Sequence, residues 1–365
     1  MRFSRTRFVL IAQLLTTIAC SGSTPTSPRP SSEPQPVPPP VGVAHTLYVS
    51  PTGNDQNDGT IGAPWGSLRY AVAQLHAGDT LYLRGGTYGG DSDNVIDTLR
   101  GTIRGGTSWA NPITIGGYPS EVAVLKPWNT LTPISLTSST QQYLIFQDLV
   151  IDMSFQVTDN SQPGIYVAGG ANHDRFQRIE IKNNVNFGIS FSKNNGNAPF
   201  NEVINCSIHD NGAIGGLLTN GHGLYIATSD NLIEGNEVYN NKGYGIQLYS
   251  NSGDPSVTRN VVRGNKIHDN GRHGGTAYGV VVAWGSDNLI HNNVIYGNPG
   301  GVLVYTNSSN AEVSDNSIYN NTPLEGIRIE HAIGTLVKDN TLYGNGTDIV
   351  DLGIGTILSN NHRNN

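Results

Sequence analysis

The chain has 365 residues, 21 Lys and Arg against 28 Asp and Glu, and a formal net charge of -7. Charged residues make up 13% and hydrophobic residues 36%, while Gly (45) and Pro (19) are abundant. So few charges and so many glycines exclude a helical bundle or coiled coil, the sparse apolar residues exclude a multi-span membrane protein, and the acidic balance without basic runs argues against nucleic-acid binding. A turn-rich, mostly β protein remains.

Arg2, Arg5 and Arg7 precede an apolar run from Phe8 to Ala19 that ends at Cys20. A basic start and a short apolar stretch read as an export signal over residues 1–19, too short to span a bilayer. Thr17-Ile18-Ala19-Cys20-Ser21 resembles a bacterial lipoprotein processing site, with Cys20 as the lipidated residue, although Thr17 stands where Leu is typical. The expected location is therefore outside the cytoplasm, as an outer-membrane lipoprotein or an extracellular protein, with membrane contact only through the lipid. Residues 20–45 are rich in Ser, Thr and Pro and read as an extended tether. Cys206, the other of 2 cysteines, then has no disulfide partner in the processed chain.

The remainder, residues 46–365, reads as one domain that opens with a cap over about 46–90. Ser67 is placed to cap a short helix whose Leu68, Val72 and Leu75 share a face, Gly78 is placed to end it, and Thr80 to Leu83 reads as a strand. A helix over the open end of a stack of strands protects that end from edge-to-edge pairing. Asp55 and Asp58 read as turn residues in this cap.

Two repeats follow. The first, Asn-x-(Val/Ile/Leu)-(Tyr/His)-x-Asn, begins at Asn236, Asn265, Asn293, Asn316 and Asn340, with a variant at Cys206. The second is a glycine followed by alternating apolar residues, at Gly164, Gly188, Gly223, Gly245, Gly279, Gly301 and Gly326, which are 24, 35, 22, 34, 22 and 25 residues apart. A minimum near 22 residues suits a coil of three short strands, with insertions in the two long intervals. Period-two alternation places Ile189, Leu224, Ile246, Val280, Val302 and Ile327 in one internal column and Phe191, Ile226, Leu248, Val282, Val304 and Ile329 in the next. The asparagines form amide ladders at the bends. The fold class is thus all-β, a single-stranded parallel β-helix with a short N-terminal capping helix.

The segments Gly53-Asn54-Asp55-Gln56-Asn57-Asp58-Gly59, Ala77-Gly78-Asp79-Thr80-Leu81-Tyr82 and Arg84-Gly85-Gly86-Thr87-Tyr88 resemble the start of right-handed parallel β-helix proteins, including polysaccharide lyase family nine. The resemblance covers residues 46–365. It implies a right-handed coil and a polysaccharide partner, while the architecture also carries pectate and alginate lyases, glycosidases, uronate epimerases and non-catalytic surface proteins.

The outward row of the glycine strands reads Tyr166, Ser190, Tyr225, Gln247, Val281, Leu303, Arg328, and the next reads Ala168, Ser192, Ala227, Tyr249, Ala283, Tyr305, Glu330. The insertions Gly212–Gly221 and Gly271–Tyr278 flank Tyr225, Gln247 and Tyr249 and would wall a groove. Tyr225, Tyr249, Trp284 and Tyr305 suit stacking on sugar rings. His209 and His268 share a column with Tyr239, Tyr296, Tyr319 and Tyr343 and read as stacking residues. His222 ends the first insertion; with Tyr225 it forms a candidate base and acid for abstracting a sugar C5 proton and protonating the leaving oxygen. Gln247, Lys242, Arg272 or a bound Ca²⁺ would neutralise the substrate carboxylate, and His273 lies in the second insertion. Gly221-His222-Gly223 lacks the paired aspartates that polygalacturonase-type glycosidases carry. The groove columns offer few carboxylates, Glu330 and Glu325 at the start of the same strand, neither beside the insertions, and hydrolysis generally needs two facing one bond. The clustered aspartates and lysine of the lyase calcium site are not visible in the middle coils. The first reading is β-elimination on an acidic polysaccharide. A uronate C5-epimerase or a glycosidase, and a non-catalytic carbohydrate-binding or structural β-helix, are the alternatives. A monomer is expected.

Overall fold

A computed structural model describes residues 43–128, 130–155, 163–212, 221–250, 256–271 and 276–364. The stretches read as an export signal and, nearly all of it, as a tether, with Cys20, and also Arg272 and His273, lie outside the described residues.

Three parallel sheets run the length of the domain: sheet A with 12 strands, sheet B with 10 and sheet C with 11. The chain visits A, then C, then B, and returns to A one coil further on; Leu81 sits beside Ile115, and Tyr225 beside Gln247. This is the parallel β-helix expected from the glycine spacing. Both internal columns occur in the expected register, Ile189 to Leu224 to Ile246 and Phe191 to Ile226 to Leu248, and all six side chains are fully buried.

Backbone crowding explains the glycine repeat. A Cβ on Gly223 would lie 2.6 Å from Val238 Cγ1 and 2.7 Å from the Gly245 carbonyl of the next coil. The strand can turn inward from this bend only without a side chain.

The asparagine repeat brackets the strands of sheet C. Its first position forms one ladder, in which Asn236, Asn265, Asn293, Asn316 and Asn340 each donate Nδ2 to the next Oδ1 at 2.9–3.0 Å. Its last position forms a second ladder, in which Asn211, Asn241, Asn270, Asn298 and Asn321 do the same at 2.8–3.1 Å. The fifth position has positive φ in every unit, at Asp210, Asn240, Asp269, Gly297, Asn320 and Gly344. Asp, Asn and Gly tolerate this left-handed turn best, which is why that variable position varies only among them. The fourth position builds the expected ring stack on sheet C: His209, Tyr239, His268, Tyr296, Tyr319 and Tyr343, with centroids 4.6–5.2 Å apart.

The capping helix spans Leu68–Gln74 and buries Leu68, Ala71 and Val72. It packs against Ile96–Asp97, the terminal strand of sheet B. Two expectations need correction. The Ser67 side chain makes no capping bond; its Oγ donates to Asp55 Oδ2 at 2.7 Å, and Asp55 Oδ1 accepts from the Gly66 and Ser67 N–H groups. Asp55, twelve residues upstream of Ser67, therefore holds the helix start from a distance, beyond the turn role expected of it. The helix ends before Leu75, whose extended backbone stops it three residues ahead of Gly78. Among the described residues no helix is long and apolar enough to cross a membrane.

Candidate functional site

The outward face of sheet B carries the candidate residues. Its main row runs Ser190, Tyr225, Gln247, Val281, Leu303, Arg328, each opposite the next in register. The adjacent row brings together Tyr249, Ala283, Tyr305 and Glu330. Tyr225 and Tyr249 lie with ring centroids 6.2 Å apart, and Gln247, opposite Tyr225 in register, is buried.

The bend preceding each glycine supplies a third row: Phe187, His222, Tyr244, Tyr278, Gly300 and Glu325. His222 is stacked between Phe187, at 5.3 Å, and Tyr244, at 4.8 Å, and is only 2% exposed. Its Nδ1 accepts the Tyr244 N–H at 3.0 Å. The neutral ring in this arrangement carries its proton on Nε2. Tyr225 completes the cluster, 4.9 Å from Phe187 and 6.4 Å from His222. Burial pushes the Tyr225 hydroxyl up to about 12, so it stays protonated at neutral pH and is available as a proton donor. His222 thus belongs to a ring column of the same kind as His209 and His268. The signal was present in the residue before each glycine, where Phe, His and Tyr alternate.

Further along, the face is closed. Val281 and Leu303 point outward but are buried in a small apolar cluster with Tyr278, packed by Tyr244, Tyr305 and Leu324. Gly300 has no side chain where one would collide with the Tyr278 ring. The Tyr278 hydroxyl donates to Glu325 Oε2 at 2.8 Å, and Arg328 bonds Glu325 and Glu330 at 2.8 and 2.9 Å. Glu325 is therefore tied to the end of the second insertion, contrary to its expected separation from it. Arg328 holds Glu330 below the usual carboxylate range; at Glu325 the Tyr278 and Arg328 hydrogen bonds outweigh the opposing effect of burial and lower it too. Both stay ionised at neutral pH, so neither can serve as a hydrolytic acid there.

The first insertion meets the face at its neck, where Gly212 and Gly221 leave room for Lys242: a Cβ on either would lie 2.6 or 2.7 Å from Lys242 Cβ. Trp284 stands at the bend after Tyr278–Ala283 with positive φ, outside the Tyr249 row, its N–H bonded to the Thr306 carbonyl. Lys193 was not singled out in the sequence; its Nζ donates to Ser250 Oγ at 3.3 Å, next to Tyr249. Among the described residues no three His, Cys, Asp or Glu side chains converge as metal ligands would.

Residues 47–322 match the Pel9A-like, right-handed β-helix region. The chain belongs to that family. The coil is therefore right-handed, and the match includes the whole face from Phe187 to Tyr305. Among relatives, the chain is 28% identical over 341 residues to the uncharacterized protein YwoF of Bacillus subtilis (strain 168), covering 82% of this chain and 69% of that protein. It is 30% identical over 244 residues to pectate lyase PEL9 of Emericella nidulans, covering 61% of this chain and 55% of that protein. The chain thus spans about half the length of that lyase. Among solved structures, the A-module of a mannuronan C-5 epimerase from Azotobacter vinelandii superposes with a TM-score of 0.54 at 17% identity, covering 82% of this chain and 91% of that one. At such identity the likeness concerns the fold alone.

Proposed function

We propose that this member of the Pel9A-like family is a polysaccharide lyase, cleaving an acidic polysaccharide by β-elimination while the glycan lies along the outward face of sheet B. The observation that carries this reading is the family match over residues 47–322, which includes the face from Phe187 to Tyr305; the 30% identity over 244 residues to a pectate lyase supports it. Tyr225 is assigned as the acid and His222 as the base. To serve, His222 must exchange its Tyr244 N–H bond for the substrate proton. Lys242, Arg272 and His273 are assigned to the substrate carboxylate and Tyr249, Trp284 and Tyr305 to sugar rings. Export and lipid attachment at Cys20 belong to the same proposal; metabolic labelling with palmitate, abolished by Cys20→Ser, tests them.

A second reading, carbohydrate binding without chemistry, is favoured by the enclosure of His222 in its ring column. The two separate in one experiment. The chain is incubated with pectate, alginate, glucuronan and hyaluronan, with calcium or with a chelator, and unsaturated uronate ends are followed by ultraviolet absorbance. The lyase reading expects a signal that falls at least about a hundredfold in both His222→Ala and Tyr225→Phe, the range of a lost acid or base. A signal that survives His222→Ala places the base elsewhere. Binding with no signal on any glycan supports the second reading.

A further inference from the structure

Gln247 sits at the centre of the outward row, 7% exposed, between Tyr225 and Val281. Its Oε1 is enclosed without a hydrogen-bond partner among the described residues. Leaving a buried acceptor unmet destabilises the fold. Among the described residues, equally buried amides of the neighbouring coils, such as Asn241 and Asn270, are bonded within a ladder. The Gln247 side chain points away from the core, on the face that carries Tyr225, since its neighbours Ile246 and Leu248 fill the interior.

We infer that Gln247 recognises a vicinal diol of a sugar ring in the bound glycan, an inference that rests on the reading of this face as a polysaccharide site. A carboxamide presents an acceptor and a donor side by side. Two adjacent sugar hydroxyls present the complement, one donating to Oε1 and the other accepting from Nε2. A uronate carboxylate only accepts; it would satisfy Nε2 and set an anion against the unmet Oε1. The role of carboxylate binder expected of Gln247 is therefore replaced by hydroxyl recognition, while Tyr225 and Tyr249 offer ring surface to the same sugar.

The test measures binding by calorimetry of trigalacturonate, its methyl ester, and its form acetylated at O2 and O3, to the full chain and to Gln247→Leu. Diol recognition expects Gln247→Leu to weaken the acid and the ester by the same factor, at least about tenfold, and to leave the acetylated probe unchanged. It also expects a thermal midpoint equal to or above that of the parent chain, because the substitution removes an unmet polar group. A loss confined to the acid, or equal binding of all probes by both chains, overturns the inference and leaves the polysaccharide reading standing. Failure of the parent chain to bind any probe overturns the inference, while the polysaccharide reading stands or falls on the assay with the four glycans.

Discussion

Asp174 occupies an asparagine's place. In the ladder at the bend before sheet A, Asn201, Asn231 and Asn260 each accept from the N–H of the residue one coil earlier and pass the pattern on. Asp174 receives the Leu144 N–H on Oδ1, but its Oδ2 is enclosed without a partner. Burial holds its carboxyl well above the usual range. A folded-state pKa above the unfolded one gives stability that is complete at acid pH and is lost as pH rises through the folded pKa. Asp174→Asn is expected to raise stability at neutral pH by about 1–3 kcal/mol. The gain should shrink toward zero near pH 3, close to the unfolded aspartate pKa of about 3.9. Urea melts at both pH values measure this; an equal effect at both would show that burial does not raise the Asp174 carboxyl.

At the scale of the element, each ladder asparagine serves several backbone groups at once. Asn265 accepts from the Asn236 N–H and amide, and donates to Asn293 Oδ1 and the Ile233 carbonyl, all at 2.9 Å. Asn265→Ala leaves three buried groups unmet and is expected to cost at least about 3 kcal/mol. Asn361 has the same bonding pattern at the last rung but is partly exposed, so water replaces the lost bonds. Asn361→Ala is expected to cost about 1 kcal/mol. Denaturant midpoints of the two variants check this gradient; equal losses would show that the ladder acts through something other than burial. The repeat was legible because its geometry is local to six residues: the left-handed fifth position and the stacking fourth position restrict residue type wherever the unit recurs. The site was less legible. His222 looked singular beside Gly223, yet its neighbours Phe187 and Tyr244 are one coil away on either side, 35 and 22 residues distant in the chain.

Over the whole molecule, the internal columns change character at the last strand of sheet B, Thr347–Ile354. Asp351 follows Ile329 in the inward column, where earlier coils place Val304, Val282 and Leu248. It is exposed and accepts from the Gly353 N–H and the Thr356 hydroxyl. An inward-pointing charge on a terminal strand discourages another edge from pairing with it. Leu352, Ile354 and Ile357 are exposed nearby, so the charge stands beside a substantial apolar surface. Asp351→Val is therefore expected to associate in a concentration-dependent manner by sedimentation velocity, under conditions where the parent chain does not; identical sedimentation of both would remove this role from Asp351.

The sequence by itself determined the coil, its register, the identity of both internal columns and the outward rows, because in a stacked fold every coil repeats the same steric demands at fixed intervals. It also set the rings on sheet C and the glycines at the bend into sheet B. Only the tertiary structure decided what lies over the outward face. Asp55 holds a helix start twelve residues away, Tyr278 reaches Glu325 across 47 residues, and Val281 and Leu303, on the outward row, are buried in an apolar cluster. These contacts occur once each, between side chains brought together by coils of unequal length, so no periodic pattern records them.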